Sequence, residues 1–170
     1  MSNLEKKILA EIERAKAHTR EALEYMGRFG VEPSGEVKLF FPPSARQQTI
    51  DRIPFNRPVR EVVVYQTEPG EFSAVCPFSG LPDYGVLRVE YVPGRWILEL
   101  KSFKYYLVSF RQIGVTQEEV TAIIFEDLMR HLENPEYLVV ETTYNVRGGI
   151  RTTVRVDSRE QPGRAKLDVI

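Results

Sequence analysis

Residues 99–132, ELKSFKYYLVSFRQIGVTQEEVTAIIFEDLMRHL, change the apolar period of the chain from strand-like to helical, and that change decides the fold. Phe103, Tyr106, Leu107 and Phe110 lie three, four and seven apart, so they share one face of a helix. From Thr116 to Glu119 the spacing is that of a capping box, and Val120, Ile123, Ile124, Leu128 and Leu132 form the buried stripe of a second helix. Upstream, YGVLRVEYV and RWILEL read as strands joined in a hairpin through Pro93-Gly94. Downstream, after the Asn134-Pro135 break, YLVVETTYNV and IRTTVRV read as another hairpin around Arg147-Gly148-Gly149. Strand, strand, helix, helix, strand, strand is an α+β order, and an antiparallel four-stranded sheet with two helices on one face buries all of these stripes.

Further out, EVVVYQ and FSAVC are two more β-rich runs, separated by Glu68-Pro69-Gly70 and expected to pair as a hairpin. The stretch from Val31 to Pro58 is rich in proline and polar residues without a period, and reads as irregular chain. At the N-terminus, Leu4, Ile8, Ile12, Ala15, Leu23 and Met26 recur at helical spacing and Gly27 and Gly30 follow as a stop. The expected organisation is an amphipathic helix in residues 1–30, an irregular proline-containing segment in 31–60, and the α+β domain in 61–170.

A length of 170 residues suits one domain with an appendage, and a net charge of −1 gives no long-range field for nucleic acid or a membrane surface. The partner expected from this balance is a small molecule. One cysteine excludes an internal disulfide, and with only His18 and His131 there is no set for a structural zinc ion, so no metal is expected. A reduced, cytoplasmic setting is the default, and no stretch is apolar for long enough to span a bilayer.

Three groups of residues carry candidate chemistry. In FSAVCPFSGLPD, Cys76 stands at the end of a β run, and the Pro77 to Pro82 loop returns the chain to Asp83. Cys76 is either a small apolar filler at a strand end or a thiolate nucleophile with a carboxyl group to move its proton. No histidine stands close to it, which disfavours papain-like hydrolysis and favours an electrophile that needs no strong base. Lys101 and Lys104, three apart on the first helix, are either its solvated outer face or paired charges for nucleotide phosphates. Glu118, in the first turn of the second helix, is favoured there by the dipole alone, and it also suits the two adjacent N–H donors of a guanine-like edge.

In order and spacing, CPFSGLPD at 76–83, ELKSFKYY at 99–106, Phe110-Arg111, Glu118 and RGGI at 147–150 resemble the QueF-type 7-cyano-7-deazaguanine reductases, which belong to the tunnelling-fold superfamily with GTP cyclohydrolase I. The resemblance runs from about Glu71 to Ile150 and implies a tunnelling fold for the α+β domain, preceded by an N-terminal helical extension. It implies NADPH as cofactor, Cys76 as the nucleophile that forms a thioimide with the nitrile, and Asp83 as the proton donor. It further implies that Leu98, Glu99, Leu100, Gln117 and Glu118 line the deazaguanine site, and that Lys101, Lys104 and Arg147 lie near the cofactor phosphates. Members of the superfamily assemble rings, so a homo-oligomer with sites between subunits is expected, without membrane or direct nucleic-acid contact. Where the family usually carries histidine, this chain has Gln117, which hydrogen-bonds but does not shuttle a proton near neutral pH. The same residues leave two alternatives open: an amidinotransferase acting on nitrile-bearing transfer RNA, as in archaeosine formation, and a non-catalytic ligand-binding protein on the same fold.

Overall fold

The computed structural model describes residues 3–28, 41–46 and 50–161. Its centre is β4 (Pro82–Val92), eleven residues whose alternation points Asp83, Gly85, Leu87, Val89 and Tyr91 inward. Along one side β4 pairs with β6 (Tyr137–Tyr144) over its whole length, from Gly85 opposite Tyr144 to Val92 opposite Tyr137. Beyond β6 lies β7 (Thr153–Asp157), antiparallel to it. The turn between them is the expected one: Arg147 and Ile150 exchange backbone hydrogen bonds of 2.9 Å, and Gly148 and Gly149 both take positive φ, 54° and 85°. Two consecutive left-handed residues are what a two-residue hairpin with the native twist requires.

The other side of β4 differs from expectation. The runs β2 (Val63–Gln66) and β3 (Phe72–Val75) do not pair with each other; β3 pairs with the first part of β4 and β2 with the second. Thr67 explains this, because its N–H bonds the Leu87 carbonyl and its hydroxyl accepts from the Leu87 N–H, so the chain stays tied to β4 on both sides of the Pro69-Gly70 excursion. The two runs behave as one interrupted strand. The sheet therefore has five strands in four rows, where four strands were expected.

The expected β4–β5 hairpin is also absent. With both sides of β4 taken, β5 (Trp96–Leu98) pairs instead with β1 (Arg52–Pro54) as a separate two-stranded ribbon. Gly94 allows the departure, since a Cβ there would lie 2.8 Å from the Asn134 carbonyl oxygen. The segment expected to be irregular thus contributes a strand, and a 3-10 turn at Pro43–Ala45; residues 31–40 and 47–49 lie outside the described residues.

Helices α2 (Leu100–Ser109) and α3 (Gln117–Leu132) form where the period changes. Phe103 and Tyr106 from the first, Phe110 from the 3-10 turn that follows it, and Val120, Ile124, Leu128 and Leu132 from the second pack with Leu87, Val89, Tyr91 and Val140 into one core. The Thr116 hydroxyl caps α3 by accepting from the Glu119 N–H. Inside that layer Asp127 is fully buried, and it accepts two hydrogen bonds from Arg46, at 2.8 and 3.0 Å, and one from the Tyr106 hydroxyl. Burial pushes the Asp127 carboxyl up, but Arg46 and Tyr106 more than offset this and hold it below the usual range. No pattern in the sequence signals this pair, which pins residues 41–46 to the body.

Helix α1 (Asn3–Gly27) forms over the expected residues. Its buried face at the C-terminal end consists of Ala22, Tyr25 and Met26, while Leu23, expected to be inward, is exposed. The side chains of Leu4, Ile8, Ile12 and Ala15 lie outside the described residues.

Candidate active site

The loop after β3 is built to present Cys76. The Cys76 N–H bonds the Leu81 carbonyl at 2.9 Å and the Gly80 N–H returns to the Cys76 carbonyl at 2.8 Å, with Gly80 at φ 63° closing the turn. Pro77 holds the backbone just after the thiol. The residue is 8% exposed. Burial pushes the thiol up, yet the Ser79 hydroxyl, the backbone N–H groups of Ser79 and Phe78, and the Arg147 guanidinium together bring it below its ordinary value. Those are donors aimed at sulfur, the arrangement that favours thiolate over thiol.

Asp83 lies in β4 directly opposite Ala74, so the strand pairing itself brings it back beside the cysteine loop. It is 4% exposed, and its Oδ1 forms an ion pair with Arg147 in place of a hydrogen bond of ordinary geometry. Arg147 reaches both groups because the glycine turn follows the end of β6, where Tyr144 stands opposite Gly85. Gly85 is needed there, since a Cβ would lie 2.7 Å from the Thr143 carbonyl. A buried carboxylate without a cation is costly, and this cation is half exposed.

The start of α3 joins the same end of the sheet. Val75 exchanges backbone hydrogen bonds with Ile113 and Val115, at 2.9 and 3.0 Å, which sets Gln117 and Glu118 just beyond the cysteine strand. The Tyr144 hydroxyl lies 3.5 Å from the Gln117 carbonyl. Burial raises the Tyr144 hydroxyl well above its ordinary range, and the nearby Glu118 charge adds to that. Glu118 itself is exposed. Tyr144 has no mark in the sequence beyond a β run; the register of β4 with β6 is what assigns it to this end.

Five of the expected residues lie elsewhere. Leu98 is 2% exposed and belongs to the core, where its N–H bonds the Tyr91 hydroxyl at 3.1 Å. Glu99 caps α2, accepting from the N–H groups of Lys101 and Ser102 at 2.9 and 2.7 Å, and these bonds hold its carboxyl below the usual range. Leu100, Lys101 and Lys104 are exposed. Lys104 and Arg111 line a cavity of about 270 Å³ with Tyr65, Thr67, Leu100 and Phe103. Arg111 also bonds the Glu71 carbonyl at 2.9 Å. Tyr91 and Asp83 are eight residues apart in one strand, or roughly 26 Å. The chain thus gathers Cys76, Asp83, Arg147, Gln117 and Glu118 at one end of β4, with Leu98 and Glu99 near the other. Among the described residues there is no group of histidine, cysteine and carboxylate side chains able to hold a metal ion, and no helix long and apolar enough to cross a membrane.

Residues 82–163 match the family model of the QueF-like proteins. The chain is 55% identical over 94 residues to an NADPH-dependent 7-cyano-7-deazaguanine reductase of Thermotoga maritima, a match covering 55% of this chain and 68% of the relative. With the reductase of the same name from Thermomicrobium roseum it shares 41% identity over 126 residues, 74% of this chain and 97% of that one. Among solved structures, the archaeosine synthase QueF-Like in its apo form superposes with a TM-score of 0.52 at 24% identity, covering 63% of this chain and all of the other. That likeness identifies the α+β architecture as the tunnelling fold.

Proposed function

This chain belongs to the QueF family of NADPH-dependent 7-cyano-7-deazaguanine reductases, and on that premise we propose that it reduces the nitrile of 7-cyano-7-deazaguanine to an aminomethyl group through a covalent thioimide on Cys76. It is a nitrile oxidoreductase that uses NADPH. The observation that carries the mechanism is the convergence of Arg147 on both Cys76 and Asp83.

In the resting site the Arg147 cation favours ionised Asp83, and the donors around sulfur lower the cost of forming thiolate. Asp83 takes the Cys76 proton as sulfur attacks the nitrile carbon; a C–S bond forms and one π bond of the nitrile breaks. The freed electron pair settles on nitrogen, which receives the proton from Asp83, so the thiol proton ends on the thioimide nitrogen. The thioimide is a reducible C=N group where the nitrile was inert. Glu118 accepts the paired N–H donors of the deazaguanine edge, and Gln117 contributes hydrogen bonds without carrying a proton.

Two molecules of NADPH would supply one hydride each, which, with two protons taken up from solvent and cleavage of the C–S bond to return Cys76, balances the change from nitrile to primary amine. The residues present fit its phosphates: Lys101 and Lys104 project from the outer face of α2, and Lys104 and Arg111 share the apolar-walled cavity. Arg147, already engaged with Asp83, is able to turn toward a phosphate and so release Asp83 as an acid. Because the cysteine end and the Leu98–Glu99 end of β4 are far apart in one protomer, a complete site forms where one end of a protomer meets the other end of a second copy. Exposed Leu100, Tyr105 and Val108 on α2, with Val62 and Val64 at the sheet edge, are apolar surface such a contact covers.

Intact-mass measurement after mixing with 7-cyano-7-deazaguanine tests this. A mass increase equal to the nitrile, absent in Cys76→Ala, together with NADPH oxidation by the unmodified chain, is the expected result. Reversible binding without any covalent increase, or an adduct that persists in Cys76→Ala, defeats the thioimide reading.

A further inference from the structure

Helix α1 precedes the residues matched by the family model, 82–163, and the Thermomicrobium roseum relative is covered almost entirely by three-quarters of this chain. Its last two turns nevertheless dock on the cysteine end of the sheet. Ala22 and Met26 are buried against Val75, the residue before the nucleophile. Upstream, the His18 ring meets Phe41 edge-on at 5.4 Å, and the Ser44 hydroxyl donates to Glu21. Phe41 in turn exchanges backbone bonds with Gln112 and Gly114, at 2.6 and 2.7 Å, so α1 sits on a segment tied to the chain that leads into α3.

One polar contact goes directly into α3: the Tyr25 hydroxyl, largely buried, donates to the Glu119 carboxylate. Glu119 lies in the first turn, with its N–H on the Thr116 cap at 3.2 Å. Neighbouring positions on an α-helix differ by about 100° around the axis. Glu119 therefore faces α1 while Glu118 turns away from it, near enough to Tyr144 for its charge to be felt at that hydroxyl. A tether on Glu119 fixes the rotational phase of the turn that carries Glu118. Burial and the bond to Glu119 also raise the Tyr25 hydroxyl far above its ordinary range, so it remains a donor at every working pH.

We propose that Tyr25 is a positioning residue for substrate recognition, acting through Glu119 to hold the first turn of α3, and with it Glu118, in the orientation that reads the deazaguanine edge. This rests on the nitrile-reductase reading above. It makes α1 part of the substrate site through its contact with the first turn of α3.

The test is a double-mutant cycle in the full chain: Tyr25→Phe, Glu119→Ala and the pair, each measured for the Michaelis constant toward the deazaguanine nitrile, for kcat at saturating NADPH, and for Tm. Each single change is expected to raise that Michaelis constant about fivefold with kcat held within about twofold, the scale of one lost hydrogen bond, and the pair is expected to be no worse than either single change. A contact that only stabilises the fold lowers Tm, or lowers kcat through lost folded protein, and leaves the Michaelis constant alone; that result overturns the proposal. So do effects on the Michaelis constant that multiply in the pair, since Tyr25 then does not act through Glu119. An unmodified chain that neither binds nor reduces the nitrile sinks the reductase reading and this inference together, whereas an active chain indifferent to Tyr25→Phe sinks this one alone.

Discussion

The two ends of β4 handle charge in opposite ways. At the Asp83 end, two ionisable groups, Cys76 and Asp83, are buried beneath the half-exposed Arg147, which contacts both. At the Tyr91 end, Leu98 belongs to the core, Glu99 is engaged as a helix cap, and the lysines of α2 stand in solvent. Buried groups set one another's proton affinity before any substrate arrives, whereas exposed lysines gain energy only when a ligand brings anions to them. On the proposed reading, the cysteine end is the reaction centre and the lysine end the binding surface.

The largest expected effect follows from that division. Cys76→Ala removes the nucleophile and should lower turnover at least about a thousandfold with loss of the adduct, because no other group in the site substitutes for a covalent attacker. Replacing both Lys101 and Lys104 by Ala should leave adduct formation intact and raise the Michaelis constant for NADPH by about tenfold or more. Mixing the two variants in equal amounts within one oligomer then tests the geometry. If each site takes its cysteine end from one copy and its lysine end from another, about a quarter of the sites regain both, and activity at low NADPH exceeds the average of the separate variants several-fold. Activity equal to that average places both ends of a site in one protomer and breaks the comparison.

How far the sequence revealed this depends on how local each feature is. The β6–β7 hairpin was legible because Arg147-Gly148-Gly149-Ile150 demands positive φ at two adjacent positions, a requirement met within four residues. Both helices were legible from their periods and the Thr116 cap. The pairing of β2, β3 and β5 was not, because strand propensity says nothing of which neighbour a strand chooses; Thr67 bonding Leu87 and Gly94 against Asn134 decide it. Within the site, Cys76, Asp83 and Glu118 stood out through the family motifs. Arg147 was expected beside cofactor phosphates, and its contact with Asp83 depends on the register of two strands distant in sequence. Tyr25 and Tyr144 carried no signal at all, since an aromatic residue in a helix or a β run usually means core.

The smallest expected effect isolates Arg147, a cation shared by both buried groups. Its hydrogen bond to sulfur is among the causes that lower the Cys76 thiol, and its charge also neutralises Asp83. In Arg147→Ala the thiolate loses a donor and faces an uncompensated carboxylate, and both changes push the thiol upward. Alkylation by iodoacetamide, followed against pH, should show its inflection moved to higher pH, and below that inflection the rate should fall with the thiolate fraction. Arg147→Lys keeps the charge without the guanidinium fork and should fall between the two. The lysine variants of α2 should leave this profile where it is, since no contact joins them to sulfur. An Arg147→Ala profile that does not move means that Arg147 does not tune the thiol, whereas a Lys104→Ala profile that does move means that the two ends are not electrostatically independent.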